Sequence, residues 1–424
     1  MNLLNVSERI SRRPVKLDFI LAASRLRHVV NKTPLIYNSN LSAKYQCNIY
    51  LKREDLQVVR SYKIRGAYNA LQCLTRKESD LGVVCASAGN HAQGFAYSCK
   101  KLGIKGVVFM PVVTPDQKVR QTKMFGGNAI SVRLTGDSFD DCAVTAKTFT
   151  VENNMTFIHP FDDLKIIEGQ GTVGLEVLEQ LPVIDFLFVP VGGGGLSAGI
   201  GSYFKEHSPL TKIIGIEPEG APSMTEAFKH GRPVLLDTID NFVDGASVKR
   251  VGDLTFSICK DVLTAIAVVP EGKVCSTILQ LYNEEGLVVE PAGALSISAL
   301  DDYSEMIKGK NVVCIVSGSN NDIDRMQEIR ERSLQFEGLK HYFLITFAQR
   351  PGALKEFVNE ILGPDDDIVR FEYMKKHNKE KGPAVVGIEL KSRKDYTNLL
   401  QRLQSHDITY SELKKEHNLF AHLI

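Results

Sequence analysis

From residue 82 onward, short apolar runs alternate with amphipathic stretches of helical length: 82–86, then 91–102, then 106–110, then 115–125. Continuous apolar runs of this kind read as strands buried on both faces, and the intervening stretches carry the helical period, so the pattern is βαβα. The last of these stretches has its own punctuation, with Thr114 at the N-cap, Pro115 at the first helical position and Gly126 just past the end. Further strand-like runs follow at 129–134, 186–191, 213–216 and 311–316. The fold class expected is α/β, a doubly wound parallel-sheet body reaching to about residue 330. A charged stretch, 322–335, predicts a helix leading to a hinge, and Gly338 marks the boundary. Beyond it the period changes: 341–347, 368–374 and 384–390 read as strands, 352–361 and 396–404 as helices, 375–381 as a polar turn, and 408–413 as a last strand. That βαββα order predicts a small α+β domain on an antiparallel sheet. The division expected is a body over 1–330 made of two α/β subdomains, a linker over 331–338 and a small domain over 339–424.

Composition narrows the possible partners. At 424 residues, 43% hydrophobic and 24% charged, the chain has the balance of a soluble protein and is too long for one core. Its 51 basic and 50 acidic residues nearly cancel, and no long basic run is present, so neither nucleic acid nor a membrane surface is expected as a partner. The first 32 residues intersperse Arg12, Arg13, Lys16, Arg25 and Arg27 among short apolar stretches, which predicts neither a signal core nor a spanning segment and a mature start near Met1. Eight cysteines are scattered from Cys47 to Cys314 without a Cys-x-x-Cys pair and in apolar contexts. They read as buried free thiols, which points to a reducing compartment, most simply the cytoplasm, and to no metal site.

Four short segments carry candidate chemistry. Ser61-Tyr62-Lys63-Ile64-Arg65-Gly66-Ala67 places a lysine where an extended segment gives way to a helix expected to begin at Gly66. A nucleophilic lysine must be desolvated or flanked by positive charge, and Arg65 and the helix amino terminus could help; taken alone, Lys63 is a weak signal, since about nine in ten lysines of such a chain are solvated surface groups. Ser87-Ala88-Gly89-Asn90-His91 runs from a buried strand into a helix, at the strand end where open α/β sheets collect ligands. Asn90 there is either a ligand contact or a helix cap. Gly192-Gly193-Gly194-Gly195-Leu196 follows a strand and precedes a helix, so successive backbone amides face an anion and the helix dipole adds to them. A phosphate fits this nest better than a flexible loop does, since four glycines cost conformational entropy. No Gly-Lys-Ser/Thr follows, which excludes a nucleotide P-loop. Ser317 ends another strand in small polar residues, as a donor into the same crevice or as a plain turn former.

Together the four segments resemble the fold type II pyridoxal-phosphate enzymes, and among them the threonine dehydratases, over almost the whole chain. The resemblance implies a tryptophan synthase β-like body, with Lys63 holding the cofactor as a Schiff base and Tyr62 standing where phenylalanine is usual. It implies that Asn90 contacts the ring oxygen, that Gly192, Gly193, Gly194, Gly195 and Leu196 hold the phosphate, and that Ser317 faces the ring nitrogen. Ser87, Ala88, Gly89 and His91 are implied as substrate contacts. The stretch from His159 to Asp163, followed by Gly169-Gln170-Gly171-Thr172, matches a family segment. In this reading Lys63 also takes the α-proton. A serine opposite the ring nitrogen leaves it unprotonated, which favours elimination over transamination. L-threonine then gives 2-oxobutanoate and ammonia.

Two departures refine the resemblance. Serine racemases of this fold carry a second serine before Gly-Asn, where this chain has Ala88, so racemisation is not expected. They also bind a divalent ion through a Glu-Pro loop, but in Glu217 to Ser223 a serine replaces the usual aspartate. The domain after Gly338 resembles the ACT-like regulatory domain of these enzymes, with Arg350-Pro351-Gly352-Ala353-Leu354 at the first strand-to-helix turn. That implies isoleucine as an allosteric effector in isoleucine biosynthesis and a homotetramer, against a domain that serves only assembly. Rival readings are a catabolic serine/threonine dehydratase or threonine synthase and, outside enzymes, an amino acid sensor. A sensor would have no use for Lys63.

Overall fold

The computed structural model describes residues 17–373 and 379–413. Three sheets organise them. The largest has six strands in the order Leu35–Tyr37, Asn48–Arg53, Asn311–Val316, Phe186–Pro190, Lys212–Pro218, Ala265–Val269, and all its pairings except the first are parallel. Phe186–Pro190 is buried at every position because helices cover both faces, which explains a strand without polar alternation. A second, wholly parallel sheet of four strands runs Ile130–Leu134, Gly106–Met110, Val83–Ala86, Thr156–Phe157. The third is antiparallel, in the order Asp367–Tyr373, Lys381–Glu389, Lys340–Ala348, Tyr410–Glu412.

Each sheet has its own apolar core: Ile49, Phe188, Val312 and Leu295 on one face of the large sheet, Phe95, Val108 and Ile166 in the second unit, and Phe343, Phe357 and Leu399 in the third. Burying one such side chain contributes about 1.5–3 kcal/mol, so each unit holds a core of its own. Helix Met326–Phe336 joins body and third sheet. Its Glu331 accepts from the Tyr342 hydroxyl at 2.9 Å and pairs with Lys340, and Arg330 meets Glu389 at 2.7 Å. The stretch read as a linker, 331–338, therefore carries the end of this helix and turns at Gly338, whose φ is 67°.

Several boundaries move. The helix expected to open at Gly66 starts at Lys63, because Arg60 at φ 60° and the Ser61–Gly318 bridge turn the chain earlier. The helix expected over 115–125 is Asp116–Gly126: Pro115, at ψ 137°, is its cap rather than its first residue, and Gly127 at φ 54° ends it. The expected strand 408–413 is the shorter Tyr410–Glu412. Of the expected turn 375–381, residues 375–378 lie outside the described residues. All eight cysteines are free and seven are buried. Among the described residues no helix is long and apolar enough to cross a membrane.

Candidate active site

Lys63 is the first residue of helix Lys63–Gln72, where the helical amides have no intrahelical acceptor. Its Nζ donates to the Pro160 carbonyl at 2.9 Å and lies 5.4 Å from the centre of the Tyr62 ring. Burial depresses the amine to about 8, against an opposing pull from the Glu290 carboxylate, so a usable fraction is neutral near physiological pH. Arg65, expected to help through its charge, does not: its guanidinium is bound to Glu54 at 2.8 Å and Glu176 at 2.7 Å, and its field is neutralised there.

The glycine segment leaves strand Phe186–Pro190 and enters helix Gly195–His207, with Gly194 at φ 91°. A β-carbon on Gly192 would lie 2.8 Å from the Ala246 backbone, one on Gly193 2.3 Å from the Phe161 ring, and one on Gly195 3.0 Å from the Phe161 carbonyl. Close approach by Ala246 and Phe161 explains why no side chain is present at these three positions. The Thr255 hydroxyl donates to the Gly193 carbonyl at 2.7 Å. Because the peptide is planar and trans, that bond turns the Gly194 N–H to the opposite side, beside the free amides of Gly195 and Leu196. The result is a nest of donors at a helix amino terminus.

Asn90 opens helix Asn90–Leu102 and links the two parallel-sheet units. Its Nδ2 donates to Glu290 Oε1 at 2.6 Å, and its Oδ1 accepts from Asn320 Nδ2 at 2.7 Å. Glu290 is the main residue that sequence reasoning missed. Burial pushes its carboxyl up to about 7, Asp244 adds to the rise, and the Asn90 bond opposes it. Its only sequence signal was a lone carboxylate between the apolar runs Leu287–Val289 and Pro291–Ala294. Ser317 is buried at the carboxyl end of strand Asn311–Val316 and donates to the Ala292 carbonyl at 3.2 Å.

The turn before Asn90 faces the crevice. Gly89 N–H donates to Ser87 Oγ at 3.3 Å, Ala88 packs partly on the second unit's core, and a β-carbon on Gly89 would meet open space. His91 is buried, with Nε2 at 3.2 Å from the Ile158 carbonyl, and burial lowers it to about 3. The ring is neutral, and what His91 can offer the crevice is its backbone N–H. His159 Nδ1 accepts from the Asp162 N–H at 2.8 Å, and Asp162 accepts in turn from the Thr255 N–H at 2.9 Å, which ties this segment to the glycine loop. Glu217 is used elsewhere: its carboxylate accepts from the N–H groups of Met224 and Thr225, both at 2.7 Å, capping helix Ser223–His230.

Residues 26–318 match the family described as pyridoxal-phosphate dependent enzyme, and 331–423 match the C-terminal regulatory domain of threonine dehydratase. A biosynthetic L-threonine dehydratase of Halalkalibacterium halodurans is 56% identical over 408 residues, which is 96% of this chain and 98% of that protein. The chain belongs to the biosynthetic threonine dehydratase family. The corresponding protein of Bacillus subtilis is 55% identical over 97% of this chain and 98% of its own length. Among solved structures, the processed form of threonine deaminase isoform 2 from Solanum lycopersicum superposes with a TM-score of 0.71 at 38% identity, covering 74% of this chain and 92% of that one. The family match thus spans the body and the regulatory domain, and the family's cofactor is pyridoxal phosphate.

The residues present fit that cofactor. A half-buried, partly neutral amine lies at one helix start, a nest of amides that no β-carbon could enter lies at another, and the Glu290 carboxylate that acts on the amine is bonded to Asn90. In this dehydratase Gly194→Val is a sharp probe, since a β-carbon at φ 91° would also lie 2.7 Å from Met224 Cε. Strain of about 1–3 kcal/mol is expected in thermal unfolding. Displacing donors from a dianion should raise the cofactor dissociation constant roughly 10- to 100-fold in a titration of the cofactor-free protein. An unchanged constant would remove the loop from the site.

Proposed function

We propose that this chain eliminates water and ammonia from L-threonine to give 2-oxobutanoate, the first step of isoleucine biosynthesis, and that isoleucine feeds back through the C-terminal domain. The observation that carries the chemistry is Lys63: a half-buried amine lowered to about 8, at a helix start that shares a crevice with the glycine nest. Pyridoxal phosphate, when bound, supplies a sink for the negative charge left at the substrate α-carbon. Gly192 to Leu196 hold the phosphate through backbone amides. Lys63 Nζ is the amine that would hold the cofactor, and it is the group placed to take the substrate α-proton. Ser317, a hydroxyl and not a carboxylate, would be the group facing the ring nitrogen with the cofactor bound, a choice that would favour elimination. Asn90, steadied by Glu290 and Asn320, would hold the ring oxygen. The amides of the Ser87 to His91 turn receive the substrate carboxylate, and Ala88 leaves the opposite face without an acid–base group. The test is 2-oxo acid formation from L-threonine, L-serine and their D-forms. L-threonine should be processed fastest, though a single methyl group is worth only about 1–3 kcal/mol of discrimination. Faster turnover of L-serine would move the chain to the serine-directed branch.

Support for the effector reading comes from a cavity of about 160 Å³ in the third unit. Ile345, Phe347, Ile361 and Ile408 give it an apolar floor, and Arg350 and Glu356, which pair with each other, stand at its rim. An aliphatic amino acid needs these three things: a cation for its carboxylate, an anion for its ammonium and a greasy floor. Isoleucine should raise the threonine concentration needed for half-saturation, and a coupling of about 1–3 kcal/mol corresponds to a 5- to 150-fold effect. Arg350→Ala should abolish the response while leaving basal turnover intact. If calorimetry shows no isoleucine binding and saturation does not move, the domain's role reduces to assembly. Sedimentation should give a homotetramer, with the C-terminal domains carrying contacts between subunits.

A further inference from the structure

One buried side chain near the site has no partner. Gln170 lies in helix Leu164–Gln180 with no accessible surface, and neither its Nε2 nor its Oε1 makes a hydrogen bond. Its neighbours make this helix a wedge. A β-carbon on Gly169 would lie 2.4 Å from the Arg65 carbonyl, and one on Gly199 would lie 2.7 Å from Gly171 N, so the helix touches Lys63–Gln72 on one side and Gly195–His207 on the other. The Gln170 carboxamide extends between them toward their first turns: ideal β-carbons on Gly66 and on Gly195 would each lie 2.9 Å from one of its ends. It therefore sits where the helix that begins with Lys63 and the helix that begins at the glycine nest converge.

An amide buried with both ends unbonded is unfavourable, and folded proteins keep such groups when a partner arrives later. At this convergence the partner is an anion. We propose that Gln170 is a side-chain donor to the cofactor phosphate, adding to the backbone amides of the glycine nest the hydrogen bond that its own carboxamide otherwise lacks. The end nearer Gly195 is Oε1, and the two ends are isosteric. With no bond fixing either, a half-turn of the terminal amide presents Nε2 to the phosphate. Gln170 is then a cofactor-binding residue that touches no substrate. This rests on the glycine nest holding the phosphate, which Gly194→Val tests separately.

The experiment compares wild type, Gln170→Leu and Gln170→Glu after removal of the cofactor, with pyridoxal phosphate and phosphate-free pyridoxal as paired probes. Gln170→Leu should weaken pyridoxal phosphate binding about tenfold, the worth of one hydrogen bond to a charged group, and leave pyridoxal binding within about twofold. Its cofactor-free melting temperature should be equal to wild type or higher, because the unbonded amide is gone. Gln170→Glu, which sets a carboxylate against a phosphate, should weaken pyridoxal phosphate binding further and shift the ³¹P resonance of whatever cofactor remains. Two results overturn the proposal. One is unchanged pyridoxal phosphate affinity in both variants. The other is equal loss of affinity for both probes together with a lower cofactor-free melting temperature, which would make Gln170 only a packing wedge. If the leucine variant does not fold, the near-isosteric glutamate variant decides by the same paired affinities.

Discussion

Lys63→Ala is expected to abolish 2-oxo acid formation while the chain still folds. Loss of a positioned base alone removes about 10²–10⁴-fold, and in the role proposed for Lys63 the same nitrogen also makes the covalent attachment. Borohydride, which fixes a cofactor linked through an amine, should leave none on the variant. Retained elimination above a tenth of the wild-type rate would remove Lys63 from the mechanism. The variant should also expose the cost of holding the lysine. Its amine is depressed to about 8 in the folded protein against about 10.5 in the unfolded chain, so the unfolded state binds more protons between these values and stability rises with pH through that window. Below pH 8 the cofactor-free wild type carries the full penalty, about 2 kcal/mol after allowing for the partial exposure of the side chain. Lys63→Met, without the charge, should be the more stable protein at pH 7, with the advantage fading toward pH 10.5. An advantage independent of pH would mean that the amine is not strained by burial.

Arg65→Met should give the largest loss of stability. Arg65 donates to Glu54 Oε1 and Oε2, both at 2.8 Å, to Glu176 Oε1 at 2.7 Å and to Thr172 Oγ1 at 3.1 Å. Lys52 completes the cluster, donating to Glu176 Oε2 at 2.6 Å and to the Thr33 carbonyl at 2.7 Å. Two cations and two anions balance out of contact with water. Removing one cation leaves a carboxylate uncompensated, which costs about 3–5 kcal/mol. Calorimetry should show a melting temperature lower by roughly 5–15 °C. The sign with pH is set by the freed carboxylates. Glu54, buried and held down by Arg65, has its folded pKa raised once that guanidinium is gone, so the deficit should be largest above neutrality and shrink on acidification as it protonates. Loss below about 2 °C, or a deficit that grows in acid, would show the cluster to be dispensable. Arg65 stands two residues after Lys63, so the cluster also fixes where that helix begins.

Local pattern determined a good deal here. The βαβα alternation and the later period change were readable because strand and helix periods belong to the chain itself: a continuous apolar run for a strand covered on both faces, a helical period for a segment covered on one. The glycine run was readable for a similar reason: four residues without side chains after a strand mean close backbone approach wherever the loop lands. What pattern could not specify is which distant residues meet. Asn48 pairs with Asn311 across the large sheet, and Asn90 bonds Glu290 across the crevice. Lys52, Glu54, Arg65 and Glu176 become one buried cluster only when helices Lys63–Gln72 and Leu164–Gln180 pack together. In sequence each of those charges looks like a solvated surface group, and Arg65 looks like an aid to Lys63. Burial reverses both readings, because a charge out of water is governed by whichever opposite charge lies nearest, and distance in space is a property of the folded chain. The same holds for the depressed amine of Lys63, the raised carboxyl of Glu290 and the unpartnered amide of Gln170. Residue type at each position was the sequence's contribution; the environment that turns type into chemistry came from the tertiary structure.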